Sequence, residues 1–228
     1  MAIKKLIFIP AHNEELNIVN TVHQIQFFCP DTDFIVINDG SSDTTAAVCR
    51  ANGFPLIDLP VNLGLSGAFQ TGIRYAWENE YDAAIQIDGD GQHDPSFISQ
   101  MEAKMEEEDL DIVIGSRFVT ERKPHTMRML GSSLLSAAIL FTTHQYIGDP
   151  TSGMRLYNKR MLELFANNIN YGPEPDTIAY LIHCGFKIKE IQVTMNERTA
   201  GTSYLTPFRS AGYMLNMAVS ILLVQFFR

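Results

Sequence analysis

An α/β fold with a mostly parallel central sheet flanked by helices is what this 228-residue sequence predicts, and three observations carry the prediction. Short apolar runs recur through the first half of the chain, separated by longer segments whose apolar residues have helical spacing. Those runs hold few charges, as strands buried on both faces require. Three of them lead straight into polar clusters, and open sheets of this kind bind ligands beyond the carboxyl ends of their strands.

Taken in order, strands are expected at 6–9, 34–37, 56–59, 83–87 and 112–114, with helices between them at 14–28, 43–51, 66–78 and 95–107. The opening MAIKKLIFIPAHNEE has two lysines and an apolar stretch too short for a signal-peptide core, so it is read as the first strand. Beyond about Arg117 the strand rhythm weakens: apolar helices are expected at 130–141 and 161–166, then one more strand at 188–194. This is a continuous lobe, with no repeat or low-complexity segment, and the length suits one domain with a real core.

Composition narrows the function. With 26 acidic against 17 basic residues, nonspecific binding to nucleic acid is disfavoured. The exception is the segment 117–128, where Arg117, Arg122, Lys123, His125 and Arg128 gather with only Glu121 opposing. Three widely spaced cysteines, Cys29, Cys49 and Cys184, lack the paired spacing of a structural zinc site and fit a reduced, cytosolic setting.

The polar clusters are His12-Asn13-Glu14 after the first strand, Asn38 to Asp43 after the second, and Asp88-Gly89-Asp90 after the fourth. On an extended chain alternate side chains share a face, so Asp88, Asp90 and Gln92 would converge on one hard cation. Mg²⁺ or Mn²⁺ held by so few protein ligands keeps positions for water and substrate phosphate oxygens. A calcium loop fails on spacing, because His93 and Ser99 stand where Gly and Glu are needed. A plain turn with a helix cap at Asp94-Pro95 is the alternative. Neither G-x-x-x-x-G-K-[ST] nor G-x-G-x-x-G occurs, and there is no G-x-S-x-G, which argues against a P-loop NTPase, an ordinary dinucleotide dehydrogenase and a serine hydrolase.

The ordered strings IPAHNEE, VINDGSSDTT, NLGLSGAFQTG, IDGDGQHDP, GSRF and DPTSGMRLY span nearly the whole chain. Together they resemble family 2 inverting glycosyltransferases of the GT-A fold, within it the polyprenyl-phosphate (dolichyl-phosphate) sugar synthases. The resemblance implies a metal-dependent transferase that moves a sugar from a UDP-sugar, glucose or N-acetylglucosamine, to a polyprenyl (undecaprenyl) phosphate for cell-surface polysaccharide synthesis. GDP-mannose as donor, a glycan hydroxyl as acceptor, and a noncatalytic nucleotide-binding subunit are the alternatives.

By the same resemblance Pro10, His12, Asn13 and Glu14 contact the nucleoside, Asp39 reads the base, and Asn38, Gly40 and Ser41 shape that loop. Gly64 and Gly67 belong to the segment closing over the nucleotide, Asp88, Asp90 and Gln92 are implied metal ligands, and Gly89 lies near the sugar. Arg117, Arg128 and Ser132, with Arg155 and Arg198, are implied for the acceptor phosphate, which guanidinium forks suit. Asp149 resembles the carboxylate that acts as base or orienter, with Glu174 and Asp176 as alternatives. One departure is RTAGTSYL, in which Tyr204 stands where relatives often carry Lys.

The stretch 211–227 is almost wholly apolar but holds Asn216, Ser220 and Gln225. A spanning helix needs about 20 apolar residues, so an interfacial helix, or one docking on a small membrane protein, is expected over a buried core helix. The expected organisation is a single GT-A domain over 1–206, in which residues 1–118 bind the nucleotide and residues 119–206 bind the acceptor, followed by a C-terminal helix over 207–228. The expected setting is peripheral, on the cytoplasmic face of a bacterial membrane, with self-association through the same helices as a further hypothesis.

Overall fold

The computed structural model describes residues 3–124, 126–168, 171–196 and 207–227, with main chain only at 128, 207–211 and 224–227. The sheet has seven strands: β1 Lys5–Ala11, β2 Asp33–Asp39, β3 Leu56–Leu59, β4 Ala83–Gln86, β5 Ile112–Ser116, β6 Arg155–Asn158 and β7 Ile188–Gln192, in the order β3-β2-β1-β4-β6-β5-β7. Only β6 runs against its neighbours, pairing antiparallel with both β4 and β5. The other pairings are parallel.

Helices α1 Ile18–Phe28, α2 Thr45–Ala51 and α4 Ile98–Glu108 cover one face. Their Ile18, Val22, Cys49, Ile98 and Met101 pack on Ile7, Ile9, Val36, Ile85 and Val113 of the strands. Helices α3 Gly64–Glu78, α5 Met127–Thr143, α6 Lys159–Ala166, α7 Pro175–His183 and α8 Pro207–Phe227 cover the other. There Phe69 meets the rings of Phe8, Tyr157 and Phe165 edge-on at centroid distances of 5.9, 5.6 and 5.5 Å, the arrangement that the ring quadrupole favours. Period-two alternation along each strand sorts the side chains between the two cores, which is why the charge-poor runs read correctly as central strands.

Two elements differ from expectation. Strand β6 lies inside DPTSGMRLY and was not expected as a strand: four residues, RLYN, polar at both ends, give too little periodicity to mark one. Helix α7 starts at Pro175, in the first-turn position that tolerates a missing N–H. Helix α8 packs Met214, Ala218 and Ile221 into the core beside α5 and α7, while Leu215, Val219, Leu222 and Leu223 face outward. Among the described residues no helix is long and apolar enough to cross a membrane.

Candidate active site

Strands β1, β2 and β4 are neighbours and parallel, so the three polar clusters meet at one edge of the sheet. Asn13 takes the left-handed backbone region at φ 57°, which Asn tolerates better than most residues. From there its N–H donates to the Ser41 hydroxyl (2.9 Å), and its side-chain oxygen accepts from Ser42 N (2.8 Å) and Asp43 N (3.3 Å). The His12 Nδ1–H donates to the Asp39 carbonyl (2.8 Å), leaving Nε2 to accept from the amides of Asn13 (3.2 Å) and Asn62 (3.1 Å). Glu14 N donates to Thr45 Oγ1 (2.9 Å), which also brings the second loop against the first. Burial pushes the Asp43 carboxyl up, but hydrogen bonds from Thr45 and the Glu15 N–H outweigh it and hold the group below the usual carboxylate range.

Asp39, at the end of β2, is buried, and its Oδ1 accepts from Leu63 N at 2.7 Å. That bond ties the end of β2 to the turn that opens α3, where Gly64 N in turn donates to Asn62 Oδ1 (2.8 Å). Gly40 sits between them at φ 56°, and a Cβ there would collide with the backbone of Val61 and Asn62. Both strain and collision are backbone-borne, so neither is relieved by a side-chain shift. Gly40→Ala is therefore expected to cost at least about 2 kcal/mol and to weaken nucleotide binding, to be checked by urea unfolding and nucleotide titration.

The third cluster departs from the expected geometry. Strand β4 ends at Gln86 and the chain turns at Gly89 to Gly91, with Gly91 at φ 76°. Strand alternation therefore does not align Asp88, Asp90 and Gln92; a turn brings their main chain together. Asp90 Oδ1 accepts from Gln92 N (3.0 Å), Gly89 N donates to the Pro10 carbonyl (3.0 Å), and the Asp88 N–H donates to His93 Nδ1 (3.0 Å). Gln86 Nε2 donates to Asp88 Oδ1 (3.0 Å). The helix-start reading of Asp94-Pro95 holds: Asp94 caps the 3₁₀ turn Pro95–Phe97 by accepting from Ser96 N.

Among the described residues no three His, Cys, Asp or Glu side chains close into a metal cage. The donor set instead fits an open site: two carboxylates, both partly exposed, at a sheet edge. Mg²⁺ and Mn²⁺ accept such a site when substrate phosphates complete the shell.

Asp149 and Arg117 are the second candidate cluster. Asp149 is fully buried. Arg117 grips it in a fork, Nε to Oδ2 at 2.7 Å and a terminal nitrogen to Oδ1 at 2.9 Å. The Thr151 hydroxyl donates to Oδ1 as well (3.3 Å). Glu190 on β7 accepts from Gly148 N (2.6 Å) and Asp149 N (2.7 Å), fixing the loop that presents the carboxylate. With both oxygens engaged, Asp149 is arranged to orient Arg117.

Arg155 is 1 % exposed, and its guanidinium donates to the carbonyls of Ser152 (2.9 Å) and Pro150 (2.8 Å). It braces that turn from within the fold and does not reach an open surface. Ser132 is buried on α5 with its hydroxyl on Lys123 Nζ (2.9 Å). The Ser66 hydroxyl donates to Glu174 Oε1, seating the 171–174 loop against α3, whereas Asp176, in the first turn of α7, accepts from the Ser220 hydroxyl of α8 at 2.7 Å. Gly67 lies in the first turn of α3. Arg128 is placed by its main chain in the first turn of α5, and Arg198 and Tyr204 lie outside the described residues.

Sequence reasoning passed over Gln86, His93 and Gly153. A Cβ at Gly153 would strike Asp88 Oδ2, so the loop before β6 packs directly against that carboxylate. Gln86 carried a signal, since it is a polar residue inside an apolar run; Gly153 carried none, because its contact is long-range.

A sheet of this order, with acidic and amide-rich loops at the carboxyl ends of β1, β2 and β4, is that of a glycosyltransferase of the GT-A fold. The chain belongs to glycosyl transferase family 2, whose family model matches residues 6–165. It is 28% identical over 218 residues to the polyprenol monophosphomannose synthase of Mycolicibacterium smegmatis, covering 89% of this chain and 81% of that protein. To the UDP-N-acetylglucosamine--dolichyl-phosphate N-acetylglucosaminyltransferase of Methanococcus voltae it is 29% identical over 187 residues, covering 72% of this chain and 74% of the relative. Among solved structures, the glucosyl-3-phosphoglycerate synthase of Mycobacterium tuberculosis, in complex with Mn²⁺, UDP and phosphoglyceric acid, superposes with a TM-score of 0.68 at 17% identity, over 98% of this chain and 78% of that one. At that identity the likeness concerns the fold.

Proposed function

We propose that the protein transfers a hexose from a UDP-sugar, glucose or N-acetylglucosamine, to a polyprenyl phosphate such as undecaprenyl phosphate, inverting the anomeric carbon. The observation that carries this reading is the position of Arg117. Its guanidinium shares the ring of Phe118 with Lys123, at 5.1 and 5.7 Å, and Lys123 in turn is bonded to α5. The outer face of α5 is apolar, with Met127 79 % and Phe141 76 % exposed beside Leu130 and Leu134, and the outer residues of the neighbouring α8 extend it. Two neighbouring cations beside a helix with an apolar outer face suit an amphiphile with an anionic head. The arrangement also supports a peripheral seat on a membrane, which in this reading is the cytoplasmic face. The two named polyprenol- and dolichol-phosphate relatives point the same way.

Within this reading Asp39 and the His12–Asn13 loop bind and orient the nucleoside, and the Asp88–Gln92 turn faces the diphosphate. A Mg²⁺ or Mn²⁺ ion held by Asp88 and Asp90, with Gln92 as a further candidate ligand, would supply neutralisation of the departing diphosphate. The acceptor phosphate oxygen is already anionic at neutral pH, so positioning by Arg117, itself held by Asp149, replaces the need for a strong base. A GDP-mannose donor is the second reading, favoured by the Mycolicibacterium relative's name.

The test is transfer of radiolabelled sugar from UDP-glucose, UDP-N-acetylglucosamine and GDP-mannose into organic-extractable undecaprenyl lipid, with Mn²⁺ or Mg²⁺. Label from a UDP-sugar is expected. Label from GDP-mannose alone would replace the donor, and label entering only a glycan would overturn the acceptor.

A further inference from the structure

Lys123 is an unusual cation. Its Nζ is bonded to the Ser132 hydroxyl (2.9 Å) and the Ser136 hydroxyl (3.0 Å), one helical turn apart on α5. Both serines are 1 % exposed, while Lys123 itself is half-buried. Among the described residues Lys123 makes no ion pair: the nearby carboxylate of Asp149 is taken up by Arg117, and that of Glu190 by the N–H groups of Gly148 and Asp149. Burial pulls its ammonium below the ordinary lysine value, against the fields of Asp149 and Glu190. A half-buried ammonium with only neutral partners is costly unless an anion arrives.

The hydrogen-bond inventory shows what would satisfy it. The Ser136 hydroxyl donates to the Ser132 carbonyl (3.1 Å) while accepting from Lys123. The Ser132 hydroxyl accepts from Lys123, which leaves its own proton to donate, and an ammonium has three protons, of which the serines use two. One ammonium N–H is therefore left over on Lys123, which shares the Phe118 ring with Arg117.

We infer that Lys123, held by Ser132 and Ser136, receives the phosphate of an amphiphilic phosphomonoester acceptor, and so favours an acceptor that carries a phosphate over one that offers a hydroxyl. The inference rests on the polyprenyl-phosphate reading above and gives Lys123 a role in acceptor specificity next to Arg117. The predicted pattern is a split in kinetic constants. Lys123→Ala raises the KM for undecaprenyl phosphate about tenfold, the scale of one charge-assisted hydrogen bond, with the donor KM and nucleotide affinity within about twofold. Lys123→Arg recovers some of the loss. Arg122→Ala, which removes the same charge from an exposed neighbour, leaves the acceptor KM unchanged.

Calorimetric binding of geranyl phosphate, with geraniol as the uncharged control, separates the possible failures. Geranyl phosphate binding that is lost in Lys123→Ala supports the subsite, even where wild-type protein transfers no sugar to a prenyl phosphate and the acceptor reading falls. Unchanged geranyl phosphate affinity in a Lys123→Ala protein that melts like wild type would overturn the inference and leave Lys123 a tie between two segments.

Discussion

Asp149→Ala is expected to remove at least about 99 % of sugar transfer and to lower stability by about 3 kcal/mol, because it strips a buried carboxylate from a charged partner that stays behind. Asp149 is fully buried, whereas Arg117 is about a quarter exposed and can turn partly to water. That places the stability loss at the lower end for a broken buried pair, equivalent to about 6–12 °C in Tm for a chain of this size. The activity loss has a separate origin: an unheld guanidinium samples many rotamers, and the positioning that substitutes for a base is gone. Arg117→Ala should reduce transfer comparably, and the double variant should be scarcely worse than either single one, since the two residues act as a unit. Additive losses in transfer would mean that Asp149 acts on the acceptor by itself, as a base for a hydroxyl acceptor would. In that case Glu174→Gln and Asp176→Asn would also need testing for severe loss.

Asp90→Ala separates an enzyme from a noncatalytic nucleotide-binding subunit. Transfer is expected to fall by about 1,000-fold, the effect of losing the charge compensation of the leaving diphosphate. Folding should lose only about 1 kcal/mol, for the turn bond to Gln92 N, since the side chain is partly exposed. Chelation of the metal should abolish wild-type transfer, and added Mn²⁺ or Mg²⁺ should restore it; in Asp90→Ala neither treatment should matter. Full biological function in Asp90→Ala cells would favour the subunit reading. Because Asp88 also receives the Gln86 amide and abuts Gly153, its replacement would disturb packing as well, which makes Asp90 the cleaner probe.

The strands most readable from sequence were those buried on both faces. Residues 6–9 and 34–37 lie within β1 and β2 because an apolar run rich in β-branched residues has few other stable fates, while 56–59 coincides with the half-buried edge strand β3. The same logic located the three polar clusters at one edge, since parallel strands must present their carboxyl ends together. The 83–87 run was nearly as clear, yet the geometry beyond it was not: residues 88–92 form a turn, decided by the left-handed backbone at Gly91 and by bonds to Pro10 and His93.

What the sequence by itself determined, then, was the layered α/β class, the family motifs and the residues of the acidic loop, because local patterning and short motifs are encoded within a few neighbouring positions. Only the tertiary structure decided that Asp149 grips Arg117 from 32 residues away, that Arg155 is a buried brace, that β6 runs antiparallel, and that Lys123 rests on two serines of α5. Each of those depends on side chains brought together by packing, and a guanidinium or carboxylate reads the same in sequence whether it faces solvent, a partner or a substrate.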